Sequence, residues 1–331
     1  MPEKFHLTPA KYQRITHVAV LLLSLIIITG AAVRLTGSGL GCSDWPTCED
    51  DQLVAEIDDV HAMVEFVNRV ITGIVSVAVI FAVLGSLFRN PRRRDLTWWS
   101  LGLVGGVILQ ILVGALVVRE HLPPSLVIAH FLISMVLVWN AVELNHRSKF
   151  LIINHLRPRR SPLQPLCSSL VLLASVVLVT GTLVTGSGPH SGAETTQTKE
   201  AFDNLQGSAL QLEQGNFEVK RLPFDVPDVA RIHAIAMIIF LSAMLYVVFR
   251  IKRSPESGNA FLQAQNLLTI AVLQGAIGYT QYFTDVPALL VGFHIAGAVA
   301  VWIMTLRLYL EVRLPVETAS IDEATESTLN N

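Results

Sequence analysis

Three histidines lie inside apolar runs of this chain, His130, His233 and His294. Imidazole is the commonest metal ligand among side chains, and a polar ring kept within hydrocarbon is costly unless a function retains it. Two of the three are copies of one position. Leu109, Gln110, Gly114 and His130 recur 164 residues later as Leu273, Gln274, Gly278 and His294. Each set comprises an apolar run, a short proline-containing turn and the start of the next run. A duplicated unit that keeps its histidine points to a metal or cofactor site in each half.

The elements that carry these residues are membrane spans. Of 331 residues, 52% are apolar and only 15% are charged, with a mean hydropathy of +0.53, whereas soluble proteins carry about 25% charged residues. A helix needs about 20 apolar residues to cross a hydrocarbon core of ~30 Å. Eight segments qualify: 17–35, 63–88, 97–118, 125–145, 166–186, 229–250, 261–282 and 288–310. The expected fold is an all-α integral membrane protein, its eight transmembrane helices forming two parallel four-helix-bundle repeats. An even number of spans per unit inserts both halves in the same sense, so the axis relating them runs along the membrane normal. The N-terminal unit is expected over 1–145, a cytoplasmic linker over 146–165, the C-terminal unit over 166–312 and a disordered cytoplasmic tail over 313–331.

Basic residues set the sidedness. Lys4, Lys11 and Arg14 precede the first span, Arg89, Arg92, Arg93 and Arg94 follow the second, Arg147, Lys149, Arg157, Arg159 and Arg160 the fourth, and Arg250, Lys252 and Arg253 the sixth. Both termini are therefore expected in the cytoplasm of a multi-pass cell-membrane protein. Sidedness accounts for the basic clusters, and a net charge of −2 gives no indication of nucleic acid. The first apolar run could be a cleaved signal peptide. However, Ile28-Thr29-Gly30 and Leu35-Thr36-Gly37-Ser38-Gly39 resemble Val179-Thr180-Gly181 and Leu183-Val184-Thr185-Gly186-Ser187-Gly188, which assigns it to the mature fold.

Spans two, four, six and eight run from outside to inside. Each bears a polar residue one to two turns in, which at 1.5 Å per residue is roughly 8 Å below the outer surface. These are Glu65 and Asn68, His130, His233 and His294. In the second half, His233 and His294 share one level on two helices, as six-coordinate haem iron in a four-helix bundle requires. The plain alternative, histidines bonded to backbone or to each other, places two repeat-related polar groups in hydrocarbon with nothing gained.

In the first half, Asn68 stands where the repeat has His233, and an amide is a poor ligand for haem iron. That half would hold a five-coordinate or labile iron, or a haem that is substrate. His61, two turns before Asn68 on the same helix face, is a possible replacement ligand, but its place near the water boundary reads rather as a surface histidine. The counterpart of Glu65 is Ala230. Glu65 is either half of an ion pair with Arg69 or a general base or stabiliser of cationic charge. Cys42 and Cys48 read as a disulfide or a redox-active dithiol, and Cys167 as packing. Trp98, Trp99 and Trp302 read as interfacial or bundle aromatics. His6, His121, His146, His155 and His190 are expected in tails or loops and His17 at the start of span one, none with a role. The polar outside loop 189–228 is expected to contain some helix near 201–212.

Taken together, several pieces resemble the haem A synthase family, membrane enzymes that oxidise the C8 methyl of haem O to the formyl group of haem A. They are Thr29-Gly30, Arg34-Leu-Thr-Gly-Ser-Gly-Leu-Gly-Cys42 with Asp44-Trp-Pro46, Glu65-Phe-Val-Asn-Arg69, His130, Arg231-Ile-His233 and His294. The resemblance implies that His233 and His294 are axial ligands of a haem b whose iron relays electrons. It implies that His130, with Asn68 and Arg69, meets the haem O substrate, that Glu65 is catalytic, and that Cys42 and Cys48 are the outer-loop disulfide. The implied reaction proceeds through successive hydroxylation with water-derived oxygen, near the outer face. Implied partners are haem O, the farnesyltransferase that makes it, an unidentified electron acceptor and the lipid bilayer, with a place in porphyrin metabolism and cytochrome oxidase assembly. Two departures stand out: Asn68 replaces a family histidine, and a second cysteine pair of some members is absent. The alternative is a di-haem membrane cytochrome b acting only in electron transfer, which would gain from two six-coordinate haems and so is disfavoured by Asn68. A transporter of parallel repeats would show helices broken near the midplane, and no span has an interior proline.

Overall fold

Capping residues decide where the helices begin. Thr8 Oγ1 accepts the Lys11 N–H at 3.3 Å ahead of Pro9, and Asp59 accepts the Ala62 N–H at 2.9 Å. The computed structural model describes residues 6–42, 48, 54–55, 58–151, 161–191, 221–254 and 258–313. The helices are α1 (Pro9–Leu35), α2 (Val60–Phe88), α3 (Arg94–Arg119), α4 (Pro124–Ser148), α5 (Gln164–Ser187), α6 (Val226–Lys252), α7 (Gly258–Phe283) and α8 (Ala288–Glu311). All eight are long and apolar enough to cross a membrane. Among the described residues the sole β feature is an isolated bridge between Leu7 and Arg89. The expected all-α membrane fold is the one observed.

Every helix extends beyond its apolar run at one end or both, α1 furthest. The Thr8 cap starts α1 well before its apolar run, so His17 lies two turns inside the helix. α4 continues to Ser148, which makes His146 helical, with its ring 5.3 Å from Phe150. The expected helix near 201–212, the tail, His155 and Asp44-Trp45-Pro46 lie outside the described residues.

Each half closes as a ring of four. In the first, α1 packs on α2 and α4, and α3 on α2 and α4; in the second, α5 packs on α6 and α8, and α7 on α6 and α8. Across the seam α4 meets α8, α1 meets α8, and α5 meets α4. Exchanging the halves maps this set of contacts onto itself, as parallel repeats require. Trp302 fills the seam. It is 4% exposed, donates its Nε1 hydrogen to Met135 O at 2.9 Å, and meets Trp139 edge to face at 6.2 Å.

The repeat also preserves a strained turn. His121 and Leu122 (φ 61° and 53°) precede α4, and Asp285 and Val286 (φ 59° and 56°) precede α8. In both, the second residue reaches back five positions, Leu122 N–H to Val117 O and Val286 N–H to Gln281 O, each at 2.8 Å. Left-handed non-glycine residues cost about 1 kcal/mol or more each, so the surrounding packing must fix them. The turns launch α4 and α8 and thereby set the depth of His130 and His294.

At the other end, Arg89 is 2% exposed and donates to Phe150 O at 2.9 Å. Arg93 donates to Arg147 O and Phe150 O, both at 2.8 Å, and pairs with Asp95 at 2.6 Å. These arginines, read from sequence as markers of sidedness, also donate to carbonyls at and just beyond the end of α4.

If the seam depends on Trp302, Trp302→Ala should destabilise the protein by about 3–5 kcal/mol, whereas Trp302→Phe should cost about 1 kcal/mol for the lost hydrogen bond. Unfolding in mixed detergent micelles, followed by circular dichroism, measures both.

Candidate functional site

All eight helices contribute to one internal cavity of about 620 Å³. Glu65, Asn68, Arg69, His130, His233 and His294 all line it. Residues widely separated in sequence therefore meet in one space.

In the second half, the His233 and His294 rings lie 6.3 Å apart between centroids, at 77° to each other. A metal–imidazole bond of about 2 Å, with each ring centre roughly 1 Å behind its nitrogen, puts two axial rings about 6 Å apart. The centroid spacing of the pair equals that of two rings on one metal. Thr180 Oγ1 donates to Val176 O at 2.9 Å and lies 3.1 Å from His233 Nδ1. With its hydrogen committed to the backbone, the threonine accepts from Nδ1–H, which leaves His233 Nε2 as the free ligand atom. Glycines cradle both rings. A Cβ on Gly181 would stand 3.1 Å from His233 Cε1, and one on Gly278 3.1 Å from His294 Cε1. Gln274, 5% exposed, donates its amide to His294 O.

The first half uses the same devices around different chemistry. Gln110 Nε2 donates to His130 O at 3.1 Å, and a Cβ on Gly114 would stand 3.4 Å from His130 Cε1. Thr29, the counterpart of Thr180, donates to Asn68 Oδ1 at 2.8 Å. The position that carries an imidazole in one half thus carries a hydrogen-bonded amide in the other. Nδ1 of both His130 and His294 is buried without a partner, so packing and the backbone clamp, rather than a ring hydrogen bond, position these two rings.

Glu65 is 5% exposed. Its Oε1 lies 2.6 Å from Arg69 Nη2, and its Oε2 accepts the Cys42 N–H at 3.0 Å. The carboxylate forms the ion pair with Arg69 and also borders the cavity. Arg69 on one oxygen and the Cys42 N–H on the other fix the direction of the carboxylate. Cys42 is itself fixed by a disulfide to Cys48, with an S–S distance of 2.09 Å. His61 does not line the cavity. Its Nδ1 is 2.9 Å from Ser38 Oγ, which pins the α1–α2 connection. Cys167 is buried and unpaired, as its apolar surroundings suggested.

Sequence reading singled out the ligand candidates and missed what orients them. Thr29 and Thr180, Gln110 and Gln274, and Gly114, Gly181 and Gly278 all belong to the repeated pattern, so the signal was present. Their contacts run between helices and have no signature along one strand of sequence. Among the described residues no three or more His, Cys, Asp or Glu side chains cluster as a metal site. A porphyrin supplies four nitrogens of its own and needs only two from protein.

Fold and cavity define a multi-pass membrane protein made of two four-helix bundles around a histidine-lined interior. The chain belongs to the COX15-CtaA family of cytochrome oxidase assembly proteins, whose family model matches residues 13–306. It is similar to the haem A synthase of Staphylococcus epidermidis, 22% identical over 290 residues, covering 83% of this chain and 87% of that protein. The haem A synthases of Lysinibacillus sphaericus and Exiguobacterium sibiricum are 30% and 29% identical over 113 and 115 residues, in each case 34% of this chain. These matches span little more than a third of those relatives, 36% and 38% of their lengths.

The cysteine arrangement makes a countable prediction. Of three cysteines, two are bridged and the third is buried. Maleimide mass labelling should add no group to the native protein, one after unfolding and three after unfolding with reduction.

Proposed function

We propose that this chain is an oxidoreductase that converts haem O to haem A, as the names of its relatives suggest. The observation that carries this reading is the inequality of two otherwise matched halves. His233 and His294 stand at the spacing of two axial ligands, whereas His130 shares its half with Asn68 and the Glu65–Arg69 pair. One half suits a resident haem b; the other suits a porphyrin that must enter, react and leave.

Bound between His233 and His294, haem b would supply one-electron relay. The first oxidation of haem O joins a water oxygen to the C8 methyl, giving a hydroxymethyl group and releasing two electrons and two protons. The second takes hydroxymethyl to formyl with release of two more of each. The electrons pass to an acceptor outside the chain. Glu65 either takes a proton from the attacking water or stabilises positive charge at the reacting carbon. Arg69 and the Cys42 N–H keep that carboxylate aimed. His130 and Asn68 border the substrate. The domain division at 146–165, cytoplasmic termini in the cell membrane, a cavity toward the outer face and supply of haem O by its farnesyltransferase complete the proposal.

Co-expression with a haem O-producing enzyme, followed by pigment extraction, tests the activity. Wild type should accumulate haem A; a yield of haem b alone would make the chain an electron carrier. Glu65→Gln should lower conversion by about 100-fold or more, and full conversion by this variant would eliminate both of its roles. His294→Ala should lose the six-coordinate haem spectrum and, with it, haem A formation.

The glycine cradle can be probed separately. Gly278→Ala places a methyl 3.1 Å from His294 Cε1, while Gly105→Ala meets nothing within 4 Å. The first should perturb the six-coordinate Soret and α bands, and the second should leave them as in wild type.

A further inference from the structure

Arg34 lies in the last turn of α1 and lines the cavity. Its Nε is buried without a hydrogen-bond partner, and no carboxylate or carbonyl meets its guanidinium among the described residues. The other sequestered arginines differ. Arg69 has Glu65, Arg93 has Asp95, Arg147 has Glu143, and Arg89 has backbone carbonyls. Arg34 is also not required to cap its helix, because the Ala32, Val33 and Arg34 carbonyls accept from the N–H groups of Thr36, Ser38 and Gly37. Arg34 as a whole is partly buried, and a guanidinium drawn even partly out of water without a counter-charge is unfavourable. Its place on the cavity wall indicates that the counter-charge arrives with a ligand.

The site belongs to the first half alone. Thr29, five residues earlier on α1, holds Asn68, and the α1–α2 connection just beyond Arg34 delivers the Cys42 N–H to Glu65. Aligning the repeats on Thr29 and Thr180 puts Thr185 opposite Arg34, and aligning them on Gly37 and Gly186 puts Leu183 there. Neither is ionic. Guanidinium is suited to a planar carboxylate, which it can bind through two parallel hydrogen bonds.

We propose that Arg34 is the anion-binding residue of the first half and takes a propionate carboxylate of the porphyrin held there. This inference rests on the haem-oxidising reading above. The C8 methyl and one propionate occupy the same pyrrole ring, so an anchor on that propionate fixes which ring methyl faces Glu65. Arg34 is thus a positioning residue that acts through the orientation of the substrate.

The test uses full-length protein in detergent micelles with its resident haem. It is titrated with zinc protoporphyrin IX and with the dimethyl ester of the same porphyrin, following porphyrin fluorescence. Wild type should bind the free acid at least tenfold more tightly than the ester. Arg34→Gln should lose this preference by weakening the acid alone, with the resident Soret band unchanged, and Arg34→Lys should keep it within a few-fold. A wild-type preference persisting in Arg34→Gln would overturn the proposal, as would equal binding of acid and ester by wild type, which leaves the functional reading standing. Abolition of the preference by added phosphatidylglycerol would assign the guanidinium to lipid phosphate instead. Wild type that binds neither porphyrin would overturn the functional reading and this inference with it. Should Arg34→Gln lose the resident Soret band, Arg34→Lys decides, and loss of the preference there overturns the proposal.

Discussion

A polar side chain inside a membrane bundle must find its partner within the protein, because no water is there to supply one. The architecture around the cavity follows from that constraint. Thr29 meets Asn68 and Thr180 meets His233. Gln110 and Gln274 reach across from α3 and α7 to the backbone carbonyls of His130 and His294. Each bond joins two helices of one ring, so the interactions that satisfy the polar groups also fix the helix registers. The same two contacts occur in each half, and this framework allowed the residues it positions to diverge.

Close approach is the second requirement. Gly114, Gly181 and Gly278 give the imidazoles room against neighbouring helices, and small residues are what permits helices to approach closely in lipid. The left-handed pairs His121-Leu122 and Asp285-Val286 act at the ends, setting where α4 and α8 start. The first residue of each pair differs in chemistry, His121 against Asp285, while the backbone does not. The strain is therefore imposed by the bundle and not chosen by the turn residues.

Glu65 shows how a connecting segment acts on a membrane site. Its carboxylate is shared between a cation on its own helix and a backbone N–H brought by the disulfide-tethered segment at Cys42. The second half has Ala230 in the corresponding place, and its bridging loop need not deliver any donor there. A single carboxylate, held by one local and one distant contact, marks the chemical difference between halves of common origin.

Hydropathy and repetition determined much of this protein directly from sequence. The apolar runs are long enough that only helices can bury their backbone in lipid, so the number and order of spans followed, and the 164-residue repeat paired His130 with His294 and brought out their unequal neighbours. The start of α1 at Pro9 was missed because capping by Thr8 operates outside the apolar stretch. What only the tertiary structure decided is contact between helices. It showed that Glu65 is paired and cavity-facing at once, that Arg89 and Arg93 are buried struts, that His61 serves the connection and not the cavity, and that Arg34 has no counter-charge among the described residues. A linear pattern records which residues share a helix face, but the partner on the next helix is fixed by packing angle and register, and these arise only when all eight helices are assembled.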